Sequence, residues 1–219
     1  MINFLKAIGL IHENVDVPQW MEGIHMFDDI RQIDVIRESR EKIQEAQNAI
    51  KAAEDIMSQN ERYKSILYTS GDKLVEVVLD ILGQMLGYDF SVFEDKKKED
   101  FLAEIGDDVF IGEIKGVNHN VKSENVSQLD VHYQSFLEDS GKSENHVFAL
   151  LIMNHQKNKD LTKREPVHEN QVKLAKRNGS LIIDTFVLLK LFEKYKSEEI
   201  SREYCMQLLK NNTGILNQI

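Results

Sequence analysis

Apolar side chains recur with the period of a helix between about Ile30 and Asn60. Isoleucine or methionine occupies every seventh position, and a small or polar residue follows three positions after each. The first set is Ile36, Ile43, Ile50 and Met57, and the second set is Ser39, Ala46, Ala53 and Asn60. This spacing predicts one long helix with a single apolar seam. The seam either pairs with another helix in a coiled coil or lies on the chain's own domain.

The next part of the chain changes from helical to strand-like patterns. The strongly apolar run Asp72–Leu86 predicts a buried helix that ends at Gly87. Three short β-like segments follow at residues 88–93, 100–105 and 109–115, separated by a lysine-rich turn and by a Gly-Asp-Asp turn. We interpret them as consecutive strands joined by hairpins.

Helical and strand-like segments alternate in the rest of the chain. Residues 124–137, 169–177 and 186–195 have helical patterns, residues 146–153 form the continuous apolar run of a central strand, and residues 180–184 predict a short strand. This order predicts an α/β protein, a mixed β-sheet flanked by helices, with a long N-terminal helix. We divide the chain into an N-terminal helical region (1–61), a core (62–196) and a C-terminal helical tail (197–219).

The net charge of −10 repels phosphate backbones at long range and argues against a general nucleic-acid coat protein. Residues 156–177 depart from this balance, with seven basic side chains against three acidic ones. The basic residues are Lys157, Lys159, Lys163, Arg164, Lys173, Lys176 and Arg177. This stretch is the basic segment of an otherwise acidic chain.

A single cysteine, Cys205, and the lack of any Cys/His pattern with zinc spacing favour a reducing compartment. The N-terminal residues do not have the layout of a signal peptide. The sequence also contains no run of about 18 apolar residues, the minimum for a membrane-spanning helix. We therefore expect a soluble, cytoplasmic protein with no membrane partner.

Acidic and basic side chains share one face of the strand predicted at residues 109–115. Because side chains alternate along a strand, Glu113 and Lys115 point to one side and Ile114 points to the other. Asp100 stands thirteen residues before Glu113, a separation that a hairpin spans. On neighbouring strands the two carboxylates can converge on one Mg²⁺, which prefers oxygen ligands. Alternating Glu and Lys is also the pattern of a solvated strand face.

Glu76 interrupts the apolar series of the helix predicted at Asp72–Leu86. A charge in so apolar a helix is a candidate site residue. The helical wheel also allows it to lie on a narrow exposed strip, opposite the stripe formed by Leu74, Val78, Ile81 and Met85. Periodicity leaves both interpretations open.

Together these residues resemble the PD-(D/E)XK nuclease superfamily, which has the restriction-endonuclease-like fold. The shared order is a helix with a glutamate that ends near Gly-Tyr, a strand aspartate, a strand Glu-x-Lys, and a helix with Gln-x-x-x-x-Tyr. The matching positions are Glu76, Gly87-Tyr88, Asp100, Glu113-Ile114-Lys115, and Gln128 with Tyr133. The resemblance covers about residues 63–195. It departs from the family at Glu99, where the motif has proline.

The resemblance implies roles for these positions. Asp100 and Glu113 would bind Mg²⁺ or Mn²⁺, and Glu76 and Ile114 would also belong to the metal-binding set. Lys115 would position or activate the attacking water. We expect a lysine to suit this role because its pKa falls readily on burial.

The helix after the Glu-x-Lys strand would border the site. The resemblance implies that Gln128 belongs to the catalytic residues and that Tyr133 lies in the same bordering motif. His119 and His132 flank the predicted site but match no zinc pattern, so we interpret them as loop or helix-surface side chains.

The function that the resemblance implies is metal-dependent hydrolysis of nucleic acid, by an endonuclease that acts on DNA rather than RNA. Because the sequence has no recognisable DNA-reading motif, we expect an effector subunit of a restriction or antiviral defence system. The alternative is a non-catalytic assembly or binding module with the same fold, recruiting a second copy or a partner through residues 30–60. The intact set of Asp100, Glu113 and Lys115 favours the enzyme.

Overall fold

The computed structural model describes residues 18–92 and 99–217, which contain six α-helices and five β-strands. The helices are Asp29–Lys64 (α1), Asp72–Leu86 (α2), Ser123–Ser140 (α3), Glu169–Arg177 (α4), Thr185–Lys196 (α5) and Arg202–Asn211 (α6). The strands are Phe101–Ile105 (β1), Asp108–Gly116 (β2), Val147–Asn154 (β3), Leu181–Asp184 (β4) and Gly214–Ile215 (β5).

The strands form one mixed sheet in the order β1-β2-β3-β4-β5. β1 pairs with β2 antiparallel, whereas β2, β3, β4 and β5 are parallel to one another. The carboxyl ends of β2, β3 and β4 therefore meet along the same edge of the sheet. An α/β protein with a mixed sheet and a long N-terminal helix was predicted, and this coarse architecture is confirmed.

Two apolar layers cover the two faces of the sheet. On one face Phe110, Ile114 and Ile152 pack with α2, α5 and α6. On the opposite face Ile111 and Met153 pack with α3 and α4. Because side chains alternate, Glu113 and Lys115 belong to the face that α3 and α4 cover.

Contacts within the chain divide it into two units, residues 1–56 and 57–219. The second unit contains the sheet and helices α2 to α6. It includes the predicted C-terminal tail, in which α6 buries Cys205 and Leu209 in the core and the following residues add β5 to the sheet. Burial raises the pKa of the Cys205 thiol to about 11.

The long helix α1 is formed as the heptad pattern predicts, and neither glycine nor proline interrupts it. Its apolar seam is exposed. The exposed fractions are 50% for Ile36, 57% for Ile43, 59% for Ile50 and 62% for Met57.

The strand predicted at residues 88–93 was wrong for the part that the structure describes. Gly87 ends α2 in the left-handed conformation, with a φ of 70°. Phe90–Val92 then forms a short 3₁₀ turn. The Phe90 ring packs against the rings of Tyr88 and Phe101, at centroid distances of 4.9 and 5.9 Å. These aromatic residues extend the core at the end of α2 instead of pairing with β1.

Among the described residues, none of the helices combines the length and the apolar character needed to cross a membrane.

Candidate active site

The pairing of β1 with β2 places Asp100 opposite Glu113. Phe101 pairs with Gly112, and the Asp100 N–H donates a hydrogen bond to the Gly112 carbonyl over 3.1 Å. Continuing the register by one residue sets Asp100 beside Glu113, on the same face of the sheet. The Ile114 N–H also donates to Oδ2 of Asp100 over 2.7 Å. The main chain of β2 therefore holds this carboxylate in place.

Gly112 makes this close pairing possible. A Cβ atom at this position would lie 2.3 Å from the Phe101 ring and 2.5 Å from the Leu150 carbonyl oxygen. Because Gly112 has no side chain, the Phe101 ring can lie across β2. The two strands can then pair so that Asp100 lies directly beside the Glu-x-Lys segment.

The Lys115 ammonium connects the two carboxylates. Its Nζ lies 2.5 Å from Oε2 of Glu113 and 3.4 Å from Oδ2 of Asp100. The Glu113 side chain is 1% exposed, whereas Asp100 and Lys115 are 28% and 29% exposed. We call Asp100, Glu113 and Lys115 the Asp100 cluster. Its Glu113 carboxylate is buried, whereas Asp100 and Lys115 form a partly exposed side.

Helix α3 supplies two further contacts to Glu113. Gln128 Nε2 donates to Oε2 of Glu113 over 3.3 Å, and His132 Nδ1 lies 2.7 Å from Oε1. The His132 contact is close but does not have hydrogen-bond geometry, so Nδ1 remains without a hydrogen-bond partner among the described residues. Both oxygens of Glu113 therefore face polar side chains.

The interpretation of His132 as a helix-surface residue did not anticipate this contact. Gln128 and His132 are four residues apart and so share one face of α3. That spacing is the signal that could have found His132. Tyr133, one residue further, instead packs partly into the core of this face, where burial raises the pKa of its hydroxyl.

Burial and charge act in opposite directions on the pair formed by Glu113 and Lys115. Burial raises the pKa of Glu113, the hydrogen bond from Lys115 lowers it in part, and the Asp100 charge raises it again, so the net direction is upward. Burial alone would lower the pKa of Lys115. The hydrogen bond to Glu113 and the charges of both carboxylates outweigh it, and the pKa of Lys115 is raised. The expectation of a lowered lysine pKa was wrong, because Lys115 faces two acids.

The structure does not bring Glu76 to this cluster. Glu76 lies on α2, which packs against the opposite face of the sheet from Glu113. Its side chain is 71% exposed, and Oε1 lies 3.1 Å from the guanidinium of Arg62, which also pairs with Asp80. Within the described residues no hydrogen bond or ion pair joins Glu76 to the Asp100 cluster. The exposed-strip interpretation describes its position.

Two other features that flank the site in the sequence do not join the cluster. His119 is exposed, and its Nδ1 lies 2.7 Å from the Asn120 carbonyl oxygen. The lysine-rich turn, Lys96 to Lys98, lies outside the described residues.

The oxygen atoms present fit a hard divalent cation. Mg²⁺ is usually bound through one or two carboxylates, with water and substrate oxygens completing its shell. Asp100 and Glu113 supply two carboxylates that already converge on one positive charge, the Lys115 ammonium. No group of three or more His, Cys, Asp or Glu side chains gathers at a metal-binding point in residues 18–92 and 99–217. A cation here would therefore depend on these two carboxylates, main-chain oxygen, water and substrate.

No family model, curated protein or solved structure matches this chain.

Proposed function

We propose that this protein is a Mg²⁺- or Mn²⁺-dependent nuclease with a restriction-endonuclease-like core. The observation that carries the proposal is the contact of one ammonium group, Lys115, with the carboxylates of Asp100 and Glu113 on neighbouring strands. Two carboxylates can hold a divalent cation, and a lysine beside them can stabilise charge on a phosphate, so these residues supply groups that metal-assisted phosphodiester hydrolysis uses.

Each residue has a distinct task in this proposal. Asp100 and Glu113 would hold the cation, with the Ile114 main chain beside them. When bound, that cation lowers the pKa of a water molecule and polarises the scissile phosphate. The Ile114 N–H fixes one oxygen of Asp100. Gln128 and His132 restrict the Glu113 carboxylate.

Lys115 acts electrostatically rather than as a base. Its raised pKa keeps the amine protonated, so it has no free electron pair with which to take a proton from water. A protonated ammonium near a phosphate stabilises the negative charge that grows on the phosphate oxygens in the transition state. The partly exposed side of the cluster, formed by Asp100 and Lys115, is where the phosphate would approach.

We propose DNA as the substrate and an effector subunit of a cytoplasmic restriction or defence system as the setting. The segment after β3 is the basic stretch of the sequence, and it begins at the carboxyl edge of the sheet, where Lys115 lies one residue before the end of β2. Exposed lysines of this segment, such as Lys163, suit contacts with a phosphate backbone. The net charge of −10 opposes tight, nonspecific binding by the chain alone, which favours target selection by a partner.

We also propose that α1 joins two copies of the chain. The seam at Ile36, Ile43, Ile50 and Met57 is exposed along the helix. A regular apolar row of this kind is usually covered by another helix. Burial of the seam between two copies would bring two nuclease cores into one assembly.

One observation favours a non-catalytic assembly module as the alternative. Lys115 already neutralises Glu113 within the chain, and Glu76 is paired with Arg62 away from the site. The same core could then serve as a scaffold with α1 as its binding element.

A cleavage assay separates the two functions. Plasmid, linear duplex DNA, single-stranded DNA and RNA would be incubated with the full chain in Mg²⁺, Mn²⁺ or EDTA. The nuclease proposal predicts cleavage that requires the metal and is lost in Glu113→Gln. Glu104→Gln is the matched control, because Glu104 is an exposed glutamate paired with Lys142. Cleavage by Glu113→Gln at the wild-type rate would contradict the proposed site.

A further inference from the structure

A cavity opens at the carboxyl ends of β3 and β4. Its volume is about 460 Å³, and its lining includes His155, Arg164, Val172, Asp184, Phe186 and Leu216. Ligands of open α/β sheets bind in crevices outside the carboxyl ends of the strands. Cavities of this size hold small organic ligands.

A buried imidazole without a full set of partners faces this cavity. His155 is 4% exposed, and its Nε2 lies 3.1 Å from Oδ2 of Asp184. Asp184 in turn accepts a hydrogen bond from the Phe186 N–H at the start of α5, over 2.7 Å. Nδ1 of His155 is buried and has no hydrogen-bond partner among the described residues. Buried polar atoms are almost always paired, so His155 has hydrogen-bonding capacity that no described protein atom uses.

The remaining walls suit a flat aromatic ligand. Phe186 lines the cavity and remains 37% exposed, although it is a large apolar ring. Val172 and Leu216 provide further apolar surface. The Lys190 Nζ lies over one face of the Phe186 ring, 4.4 Å from its centroid, and Lys190 does not line the cavity. An exposed aromatic ring next to a cation is the arrangement on which proteins stack the bases of single strands.

Asp184, which lines the cavity, lies on the same face of the sheet as the Asp100 cluster. Met153 of β3 pairs with Lys115 on one side and with Asp184 on the other. Two strand spacings therefore separate Lys115 from Asp184, about 10 Å along the hydrogen-bonding direction. This is the scale of the distance between a scissile phosphate and a neighbouring base.

We propose that this cavity binds an unstacked nucleobase of the substrate strand. The Phe186 ring stacks on the base, and His155, oriented by Asp184, hydrogen-bonds to its polar edge. The inference rests on the proposed nuclease function and adds to it the requirement for a base that has left the double-helical stack, as in single-stranded DNA or a flipped nucleotide.

Binding of deoxynucleoside monophosphates to the full chain tests the proposal. Saturation-transfer NMR would detect which ligand protons contact the protein, and calorimetry would give the affinity. Deoxyribose 5-phosphate and inorganic phosphate are the probes without a base. We expect saturable binding with the strongest transfer to base protons, and a loss of affinity on the order of tenfold or more in Phe186→Ala. The same loss is expected in His155→Gln.

Tyr204→Ala is the matched control, because Tyr204 is an exposed aromatic residue of α6 that does not line the cavity. It should bind as the wild type does. Phe186 is exposed, so its variant keeps the test valid even if His155→Gln does not fold. The inference would be overturned if the probes without a base bound as tightly as the deoxynucleoside monophosphates. Unchanged affinity of the monophosphates for Phe186→Ala would also overturn it.

The two proposals fail in different ways. Metal-dependent cleavage without measurable nucleotide binding would overturn the base subsite and leave the nuclease standing. Nucleotide binding with the expected variant effects, but no cleavage of any substrate, would overturn the nuclease function and leave a nucleotide-binding site.

Discussion

Lys115 lies with its ammonium 2.5 Å from the buried carboxylate of Glu113, two residues earlier on the same strand. The strand alternation places both side chains on one face, and burial of Glu113 removes the water that would otherwise solvate its charge. The ion pair therefore offsets part of the cost of burying the Glu113 charge. It also raises the pKa of Lys115 and so favours its protonated form.

Lys115→Ala should slow cleavage while most metal binding remains. In the proposed mechanism the ammonium stabilises charge in the transition state, and loss of one such group lowers a rate by a factor on the order of a hundred or more. Single-turnover cleavage and calorimetric titration with Mg²⁺ measure the two quantities separately. A Lys115→Ala enzyme that cleaves at nearly the wild-type rate would refute the mechanism, even with the fold intact.

Asp100→Ala and Glu113→Ala should behave differently, because each removes a charged oxygen ligand from a cation with few protein ligands. We expect Mg²⁺ binding and cleavage to be lost together. Calorimetry with Mg²⁺ checks the first and the plasmid assay checks the second. Asp107→Ala, in the turn between β1 and β2, is the control and should leave both intact. If the Glu113 variant bound Mg²⁺ with wild-type affinity, the assignment of Glu113 as a metal ligand would be wrong.

Glu113 should also make the stability of the protein depend on pH. Its pKa is raised above the ordinary 4.5, so the folded protein holds the proton more tightly than the unfolded chain does. The stability that this group contributes is present below the ordinary pKa and is lost as the pH rises through the folded pKa. The free energy of unfolding of wild type minus that of Glu113→Gln should therefore decline as the pH rises from below 4.5 through the higher pKa of the folded protein.

Urea denaturation of both proteins across that range measures this difference. Glu104→Gln serves as the comparison, because its exposed side chain lacks the burial that drives the effect. A difference that rises with pH would mean that the Lys115 ion pair outweighs burial.

His132→Ala should lower cleavage without removing the metal ligands themselves. His132 contacts only the second oxygen of Glu113, and loss of a residue that orients a metal ligand typically costs about 10- to 100-fold in affinity or activity. His119→Ala is the matched control, since that histidine is exposed and contacts its own loop. Mg²⁺ affinity and cleavage rate, each compared between the two variants, test whether His132 orients Glu113. Equal behaviour of the two would make His132 a packing residue.

Sequence patterns predicted the elements that repeat regularly and missed those set by single contacts. The heptads of α1, the apolar run of α2 and the continuous apolar strand β3 each extend one pattern over many residues. The turn at Phe90–Val92 depends instead on aromatic rings that find partners far along the chain. The two-residue strand β5 is too short for any periodicity.

The residues of the candidate site likewise include some that sequence patterns predicted and some that they missed. Alternation along β2 and the hairpin to β1 were enough to bring Asp100, Glu113 and Lys115 together. Helical periodicity placed Glu76 opposite the apolar stripe, but it could not say which face of the sheet α2 would cover. Likewise, the importance of His132 depends on the packing of α3 over Glu113, which is a tertiary contact.

The exposed seam of α1 should associate with a second copy in antiparallel orientation. In that orientation each isoleucine can meet a small side chain, with Ile43 opposite Ala53 and Ile50 opposite Ala46 of the second copy. A parallel pair would set isoleucine against isoleucine and leave alanine against alanine, which packs less evenly. The Ile43→Asp, Ile50→Asp double variant should sediment as a monomer, whereas the wild type should sediment as a dimer. A wild type that is monomeric at every concentration would leave the seam without this role.

The flanking charges allow a more direct test of the orientation. Arg40 and Glu54 occupy the same heptad position, two repeats apart, and an antiparallel pair brings Arg40 of each copy beside Glu54 of the other. Arg40→Glu alone would set like charges together twice in the dimer and should weaken association, whereas the double variant Arg40→Glu, Glu54→Arg restores opposite charges and should recover it. In a parallel pair these residues flank different neighbours, so the second substitution would not rescue the first. Sedimentation equilibrium of the three proteins at low salt, where such pairs are least screened, decides between the orientations.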